Sequence, residues 1–507
     1  MKVLLMYRDR DFDLEQAMPW NERDLTQDLE LETLASAMSG PDDFFFEVAH
    51  KAILSSSSND IDTILYRQAV LRDCLKHPEV IAMIYGLAFE TIESAKRRGW
   101  GMSSPYPSSM MYSGIDLLEL FVVMLTRLRT IAENQSAQFE SQGFTRLFKT
   151  IETELNSEYL SQVQNHISEL KFRKGILLSA ELGEANEGTN YVLRENLPST
   201  NWLQRMIGKK PPGYTFYLAE RDEAGAQIVS EIRQRGISRV ATTLAQSADH
   251  VLSFFKALRT ELAFYVGCLN LHARLISKEE PVCFPVPRPA GERRLSFSGL
   301  YDVCLSLQSD CRVVGNDLIA DGNNLTVITG ANQGGKSSFL RSVGLAQLMM
   351  QCGIFVGARS FVAELCPGIV THYKREEDAT MKSGKFDEEL GRMSGIIDHI
   401  NPNTLLLLNE SFAATNVREG SEIARQIVSA LLENHIKVFY VTHLYEFARD
   451  WFDTKTQGTM FLRAERKPDG TRTFRIIEGE PLETSYGEDL YRRIFKSEES
   501  EVTTALE

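Results

Sequence analysis

The residues of this 507-residue chain best suited to chemistry lie in one stretch, Leu325-Thr-Val-Ile-Thr-Gly330-Ala-Asn-Gln-Gly-Gly335-Lys336-Ser337-Ser338. A short apolar run (Leu325, Val327, Ile328) reads as a buried strand. A glycine-rich turn follows, and Leu340, Val343, Leu345 and Leu348 then mark a helix. Strand, loop and helix in that order are the setting in which G-x-x-x-x-G-K-[ST] binds a nucleotide. Gly330, Gly334 and Gly335 let the backbone curl so that successive N–H groups face phosphate oxygens. The helix adds its positive N-terminal end. In that geometry Lys336 reaches the β- and γ-phosphates, and the Ser337 hydroxyl ligates Mg²⁺.

Two later strand ends add candidates. Thr404-Leu-Leu-Leu-Leu408 reads as a buried strand leading into Asn409-Glu410, and Val438-Phe-Tyr-Val441 as another leading into Thr442-His443. In P-loop ATPases the first of these strands normally ends in an Asp that holds the Mg²⁺ water shell, followed by a Glu that activates water. Asn409 is neutral, so it can hydrogen-bond a metal-bound water but adds no charge attraction. Glu410 is the candidate general base. His443, at the C-terminal end of a parallel strand, faces the crevice where ligands bind and is placed to sense the γ-phosphate or position the attacking water. His272, alone on a helix face, is expected to be structural rather than a metal ligand.

Holding these groups requires an α/β layer, whereas the chain before it reads as helical. From about Asp60 to Leu170 apolar residues recur at helical spacing, with a turn-rich break at Gly101–Gly114 and helices resuming at Leu117–Ile131 and Phe144–Leu170. Ile176–Ser179 and Tyr191–Leu193 read as a hairpin, and Tyr214–Tyr217 as another short strand. Leu244, Ala248, Val251, Phe255, Leu258, Leu262, Tyr265, Leu269, His272 and Ile276 then alternate in steps of four and three. That heptad stripe predicts a long helix packed on partner helices. The proline-rich run Glu280–Pro289 resists helix and marks a boundary.

The expected fold class is therefore α + α/β, a mostly helical domain followed by a P-loop (ABC-type) α/β domain. Residues 1–59 form an acidic N-terminal segment, 60–285 the helical domain with a small inserted β region near 171–217, and 290–507 the nucleotide domain with a C-terminal extension. Phe44-Phe-Phe46-Glu47 in the first segment is expected to be core.

Composition bounds the rest. Hydrophobic content of 43% and charged content of 24% are those of an ordinary soluble protein. No apolar run approaches the roughly 20 residues of a membrane span, and the charged N-terminus reads as entering a first strand or helix rather than as a signal peptide. Seven scattered cysteines without a C-x-x-C pair fit a reduced, cytoplasmic setting. The net charge of −14 works against extensive neutralisation of nucleic-acid phosphates. Part of that excess is local, since residues 1–60 hold 13 Asp/Glu against 5 Lys/Arg.

Together these motifs resemble the ATPase domain of the MutS family of DNA mismatch-repair proteins. The family's loop T-G-P-N-M-G-G-K-S-T is matched by Thr329-Gly-Ala-Asn332-Gln-Gly-Gly-Lys-Ser-Ser338, with Ala331 in place of Pro. Asn409-Glu410 stands at the family's D-E, Thr442-His443 at its T-H and Ser485-Tyr-Gly487 at its S-Y-G. The long helix and Asp60–Gly86 resemble the end and beginning of the family's lever domain. The resemblance implies that Gly330, Asn332, Gly334, Gly335, Lys336, Ser337 and Ser338 hold ATP with Mg²⁺, the metal near Ser337 and Asn409. It also implies a homodimer in which the helix start at Ser383-Gly-Lys-Phe386 contacts the opposite γ-phosphate. The mismatch-reading domain has no counterpart in the 60 or so residues before the lever, so the implied ligand is DNA of non-standard structure. Asn409 implies slow hydrolysis. The alternative reading is a nucleotide-dependent protein–protein switch or scaffold with no nucleic-acid ligand.

Overall fold

The computed structural model describes residues 1–58, 60–99, 106–173, 175–194, 214–375 and 384–482. The chain divides into two compact units. One holds residues 1–3, 79–140 and 144–259; the other holds 4–78, 141–143 and 260–507.

The first unit is helical, with the hairpin of β1 (Leu177–Leu182) and β2 (Gly188–Arg194) paired antiparallel. The helix expected from Leu117 begins ten residues earlier, at Pro107, because proline at the first helical position forfeits no hydrogen bond. Gly114, read as part of a break, lies inside that helix. Pro107 to Gln138 is long and apolar enough to cross a membrane by length and composition, which corrects the expectation that no stretch is. Half of its most apolar window is buried, and Phe121 packs near Phe255. Its inward residues thus belong to the core of this unit. Phe144–Leu170 forms two helices, broken after Glu154 where Asn156 caps the second by accepting from the Tyr159 N–H. Tyr214–Tyr217 is irregular rather than a strand, with Tyr214, Phe216 and Tyr217 about nine-tenths exposed.

The heptad stripe lies in one helix, Glu223–Ser277, whose 55 residues reach about 80 Å at 1.5 Å per residue. The division between the units falls within it, after Arg259. Phe255, Leu258, Leu262 and Tyr265 are buried as the stripe requires, but Ile276 is half exposed and Leu271 and Leu275 are buried instead. A 3.6-residue helix drifts away from a 3.5-residue repeat, so the buried face has moved by the last turns. His272 packs edge-on against Phe355.

In the second unit a six-stranded sheet is built from β6 (Leu325–Gly330), β8 (Ile369–Tyr373), β9 (Leu405–Asn409), β10 (Lys437–Val441), β11 (Thr459–Arg466) and β12 (Arg472–Glu478). Its order is β12-β11-β6-β10-β9-β8. All neighbours run parallel except β12, which is antiparallel to β11. Continuous apolar runs suit such strands, because both faces are covered. Helices Lys385–Ile397, Val417–Glu433 and Tyr445–Asp453 supply Met393, Ile396, Val428 and Phe447 to the core with Leu406, Leu408, Val438 and Tyr440. A second sheet combines β3 (Val286–Arg288), β7 (Ser360–Glu364), β4 (Leu295–Leu300) and β5 (Asn316–Ile319) in that order.

Helix Lys336–Cys352 is buried nearly all round, its polar Gln347 and Gln351 satisfied by the Glu364 and Cys366 carbonyls. Part of its cover comes from helices Asp43–Leu54 and Ile61–Lys76. The three phenylalanines Phe44–Phe46 are half-buried in the first of these, where Asp42 caps the helix and Glu47 pairs with Lys51. Residues 1–21 hold no helix or strand, contrary to the expectation of one at the N-terminus. They are held instead by buried side chains. Glu261 accepts from the N–H groups of Leu5, Met6 and Phe12, while Tyr66 and Tyr265 donate to the Leu4 and Leu5 carbonyls. Arg67, fully buried, donates to the carbonyls of Met6 and Cys352, the latter closing the C-terminal end of helix Lys336–Cys352.

Candidate functional site

The C-terminal ends of β6, β9 and β10 lie side by side, because Val441 pairs with both Ile328 and Asn409. The sheet therefore brings the glycine-rich loop, Asn409-Glu410 and Thr442-His443 to one edge. Ligands of parallel α/β sheets bind outside that edge.

The loop is shaped by its glycines at two points. Gly330 has φ +106, and a Cβ there would stand 3.0 Å from the Ala464 nitrogen on β11. Gly335, at φ +90, caps the helix in the left-handed region that side chains disfavour. Beyond it Lys336 turns back into the loop, its Nζ 3.0 Å from the Gly330 carbonyl oxygen and 2.9 Å from that of Ala331. The side chain is nearly fully buried, and burial pushes its ammonium down to about 8. The Ser337 hydroxyl donates to Asn409 Oδ1 at 3.1 Å. Arg472 on β12 donates to the Asn332 carbonyl at 2.9 Å.

Glu410 has φ +55 and donates its N–H to the Val441 carbonyl. Its Oε1 lies 3.2 Å from His443 Nε2 and its Oε2 3.8 Å from Lys374 Nζ. The hydrogen bond from His443, with the charges of His443, Lys374 and Lys336, holds the Glu410 carboxyl below its usual range. The structure thus brings together Lys336, Ser337, Asn409, Glu410 and His443. Gly384 precedes helix Lys385–Ile397, whereas Ser383 and Ser485–Gly487 lie outside the described residues.

Beside the loop is a cavity of about 210 Å³, lined among others by Tyr301, Asp302, Leu305, Gly335, Phe339 and Phe474. The Tyr301 hydroxyl is itself buried, at the end of the ring that lies against Gly357, and has no hydrogen-bond partner among the described residues. Such a group is costly unless something satisfies it. Lys374, Arg472, Tyr301 and Phe474 were invisible to motif reasoning, because they reach the site from separate strands and loops with no fixed spacing to the glycines.

The pH response of Lys336 follows from its depressed value. Above about pH 8 the empty site loses the ammonium proton, which a bound phosphate would have to restore. If phosphate binds there, affinity is expected to fall by up to about tenfold per pH unit above 8, measured by calorimetry between pH 7 and 9.5. Flat affinity across that range would place the phosphate elsewhere. In the empty protein the unfolded chain keeps this proton up to its ordinary 10.5, so the same group makes stability rise with pH between about 8 and 10.5.

Comparison with known proteins bears on both halves of the chain. Residues 59–278 match the MutS2 N-terminal domain, and residues 326–499 match MutS domain V. The chain is 28% identical over 244 residues to "MutS protein homolog 4" of Mus musculus, covering 47% of this chain and 25% of that protein. It is 27% identical over the same length to the Homo sapiens protein of that name, again 47% and 25%. Identity to "DNA mismatch repair protein MutS" of Thermotoga neapolitana is 33% over 178 residues, covering 35% of this chain and 22% of the relative. The chain therefore spans about a quarter of the length of these relatives.

Proposed function

This chain belongs to the MutS family, and from that premise we propose that it is a P-loop ATPase, working as a homodimer, that couples ATP and Mg²⁺ to its grip on DNA of non-standard structure. The observation that carries the reading is the convergence of Lys336, Ser337, Asn409, Glu410 and His443 at one sheet edge. Lys336 leaves its two carbonyl partners for the β- and γ-phosphates. Glu410, kept ionised by His443 and Lys374, takes the proton of the attacking water. The cavity beside Gly335 takes the nucleoside, its base against Phe339 or Phe474.

The donor set suits Mg²⁺. Ser337 Oγ and Asn409 Oδ1 are hard oxygens, and no cluster of three His, Cys, Asp or Glu stands among the described residues. Mg²⁺ commonly takes few protein ligands and completes its shell with phosphate and water. When bound it neutralises phosphate charge, while Ser337 and Asn409 orient its shell. Asn409→Asp is expected to tighten Mg²⁺ dependence and raise turnover, each on the order of tenfold, since a charged acceptor adds about 1.5 kcal/mol over a neutral one. Steady-state hydrolysis across a Mg²⁺ titration reads both, and unchanged values would remove position 409 from the metal's surroundings.

The wider reading is tested by binding to duplex, mismatched, single-stranded and branched DNA, with and without ATP–Mg²⁺, across a salt series. A preference for one form that ATP modulates, with affinity falling steeply in salt, supports it. The net charge of −14 favours a second reading, a nucleotide-driven switch acting on a protein partner. Absence of DNA binding at low salt selects that one.

A further inference from the structure

The cavity beside the glycine-rich loop has two walls. One is the start of helix Lys336–Cys352, through Gly335, Ser338, Phe339 and Ser342. The other is the segment running into helix Val303–Gln308. These walls are joined by a closed ring of polar contacts. Asp302 caps the short helix, accepting from the Leu305 N–H at 3.0 Å through Oδ1, and accepts Arg341 Nε at 2.6 Å through Oδ2. Arg341, on the loop-proximal part of its helix, also donates to Glu30 Oε1. Glu30 Oε2 accepts from Gln308 Nε2 at 3.0 Å, which returns to the far end of the short helix.

The N-terminal segment closes this ring at several points. Thr33 Oγ1 also accepts from Gln308 Nε2 at 3.0 Å, and Cys304 Sγ lies 3.4 Å from the Glu30 carbonyl oxygen. Glu30 itself sits at φ +52, a left-handed conformation that costs a non-glycine residue and that local sequence does not demand. Asp302 is almost wholly buried and Arg341 largely so, leaving Glu30 as the ring's most accessible charged member. Glu30, Asp302 and Gln308 all fall outside the two segments that match family models, 59–278 and 326–499. Only Arg341 belongs to the matched part.

We infer that Glu30 is a positioning residue for nucleoside recognition: by tying Arg341 to Gln308 it fixes the width of the cavity between the two helices. The inference rests on the reading of this site as a nucleotide site. The phosphates are held by the glycine loop and Lys336, whose contacts do not involve the ring, so loosening the ring opens the base cavity and leaves phosphate binding intact. The N-terminal segment then acts on what the site selects, not on the reaction itself.

The test compares ATP with inorganic tripolyphosphate, each with Mg²⁺, by calorimetry on the full chain. Glu30→Ala is expected to weaken ATP on the order of tenfold, the scale of one lost charge-assisted contact, while tripolyphosphate affinity and turnover at saturating ATP stay within about twofold. Glu30→Gln, which keeps an acceptor for Arg341, recovers most of the loss and serves as the readout if the alanine variant does not fold. Its ATP-to-tripolyphosphate affinity ratio still falls below that of the parent. Equal weakening of both ligands would assign Glu30 to the stability of the loop and overturn the inference. So would unchanged affinity for both in a folded variant. If the parent protein binds neither ligand, it is the nucleotide reading that fails.

Discussion

Lys336→Ala is expected to remove ATP binding, lowering affinity roughly a hundredfold to a thousandfold, as removal of one partner from a buried charge pair does. The effect on the empty protein is expected to be small. Lys336 is buried against two carbonyl oxygens, and burial is what depresses its ammonium to about 8. Alanine relieves that desolvation while depriving the Gly330 and Ala331 carbonyls of a donor. The two terms oppose, so the stability of the empty protein should change by no more than about 1 kcal/mol. The discriminating measurement is thermal unfolding with and without ATP–Mg²⁺. The parent gains stability in proportion to the logarithm of ligand concentration, and the variant gains none. A variant still stabilised by ATP as strongly as the parent would place the nucleotide elsewhere.

How much of this was legible in the sequence varied with the range of the interactions. Strands β9 and β10 announce themselves through short apolar runs, since strands covered on both faces have no polar face to interrupt the pattern. Strand β6 and helix Lys336–Cys352 show through Leu325, Val327 and Ile328 before the glycines and Leu340, Val343, Leu345 and Leu348 after them. The order strand, loop, helix then places Lys336 and Ser337 without further information. Asn409, Glu410 and His443 follow from the strand ends, because a parallel sheet aligns its C-terminal edges. The N-terminal segment could not be read this way. Its acidity suggests a solvated, repelling stretch, yet Asp24 and Asp28 pair with Arg375, and Glu30 with Arg341. These partners lie more than 300 residues away, and no local periodicity encodes them.

The same limit explains the cavity. Tyr301 precedes a six-residue helix and Phe474 lies on β12, at an edge of the sheet. Neither sits at a fixed distance from the glycine loop in sequence. The phosphate end of the site is written as a motif because consecutive backbone groups make it. The nucleoside end is assembled from side chains on separate elements. Net charge carries no such positional information: −14 is a sum over the whole chain, which pairing inside the fold leaves unchanged, and it does not say how charge is placed on any one face.

Glu410→Gln is expected to lower ATP turnover by about 10²- to 10⁴-fold, the range of a lost general base, with ATP affinity within a few-fold of the parent. Glutamine matches the shape of glutamate and can still meet His443, which stands 3.2 Å from the carboxylate. What it loses is the ability to take a proton. Because His443 and Lys374 hold the Glu410 carboxyl below its usual 4.5, this group is ionised throughout the neutral range. The part of turnover set by Glu410 ionisation should therefore stay level as pH falls from 7 toward 5 and decline only below the ordinary glutamate range. Removing the Lys374 ammonium tests one part of the cause. Lys374→Met should shift that acid limb upward, since the carboxylate loses one of the charges favouring its ionised form. A Glu410→Gln protein that turns over ATP at the parent's rate would exclude the carboxylate as base and make His443, just beyond β10, the next candidate to test. The pair of variants thus separates proton transfer from the electrostatics that prepare it.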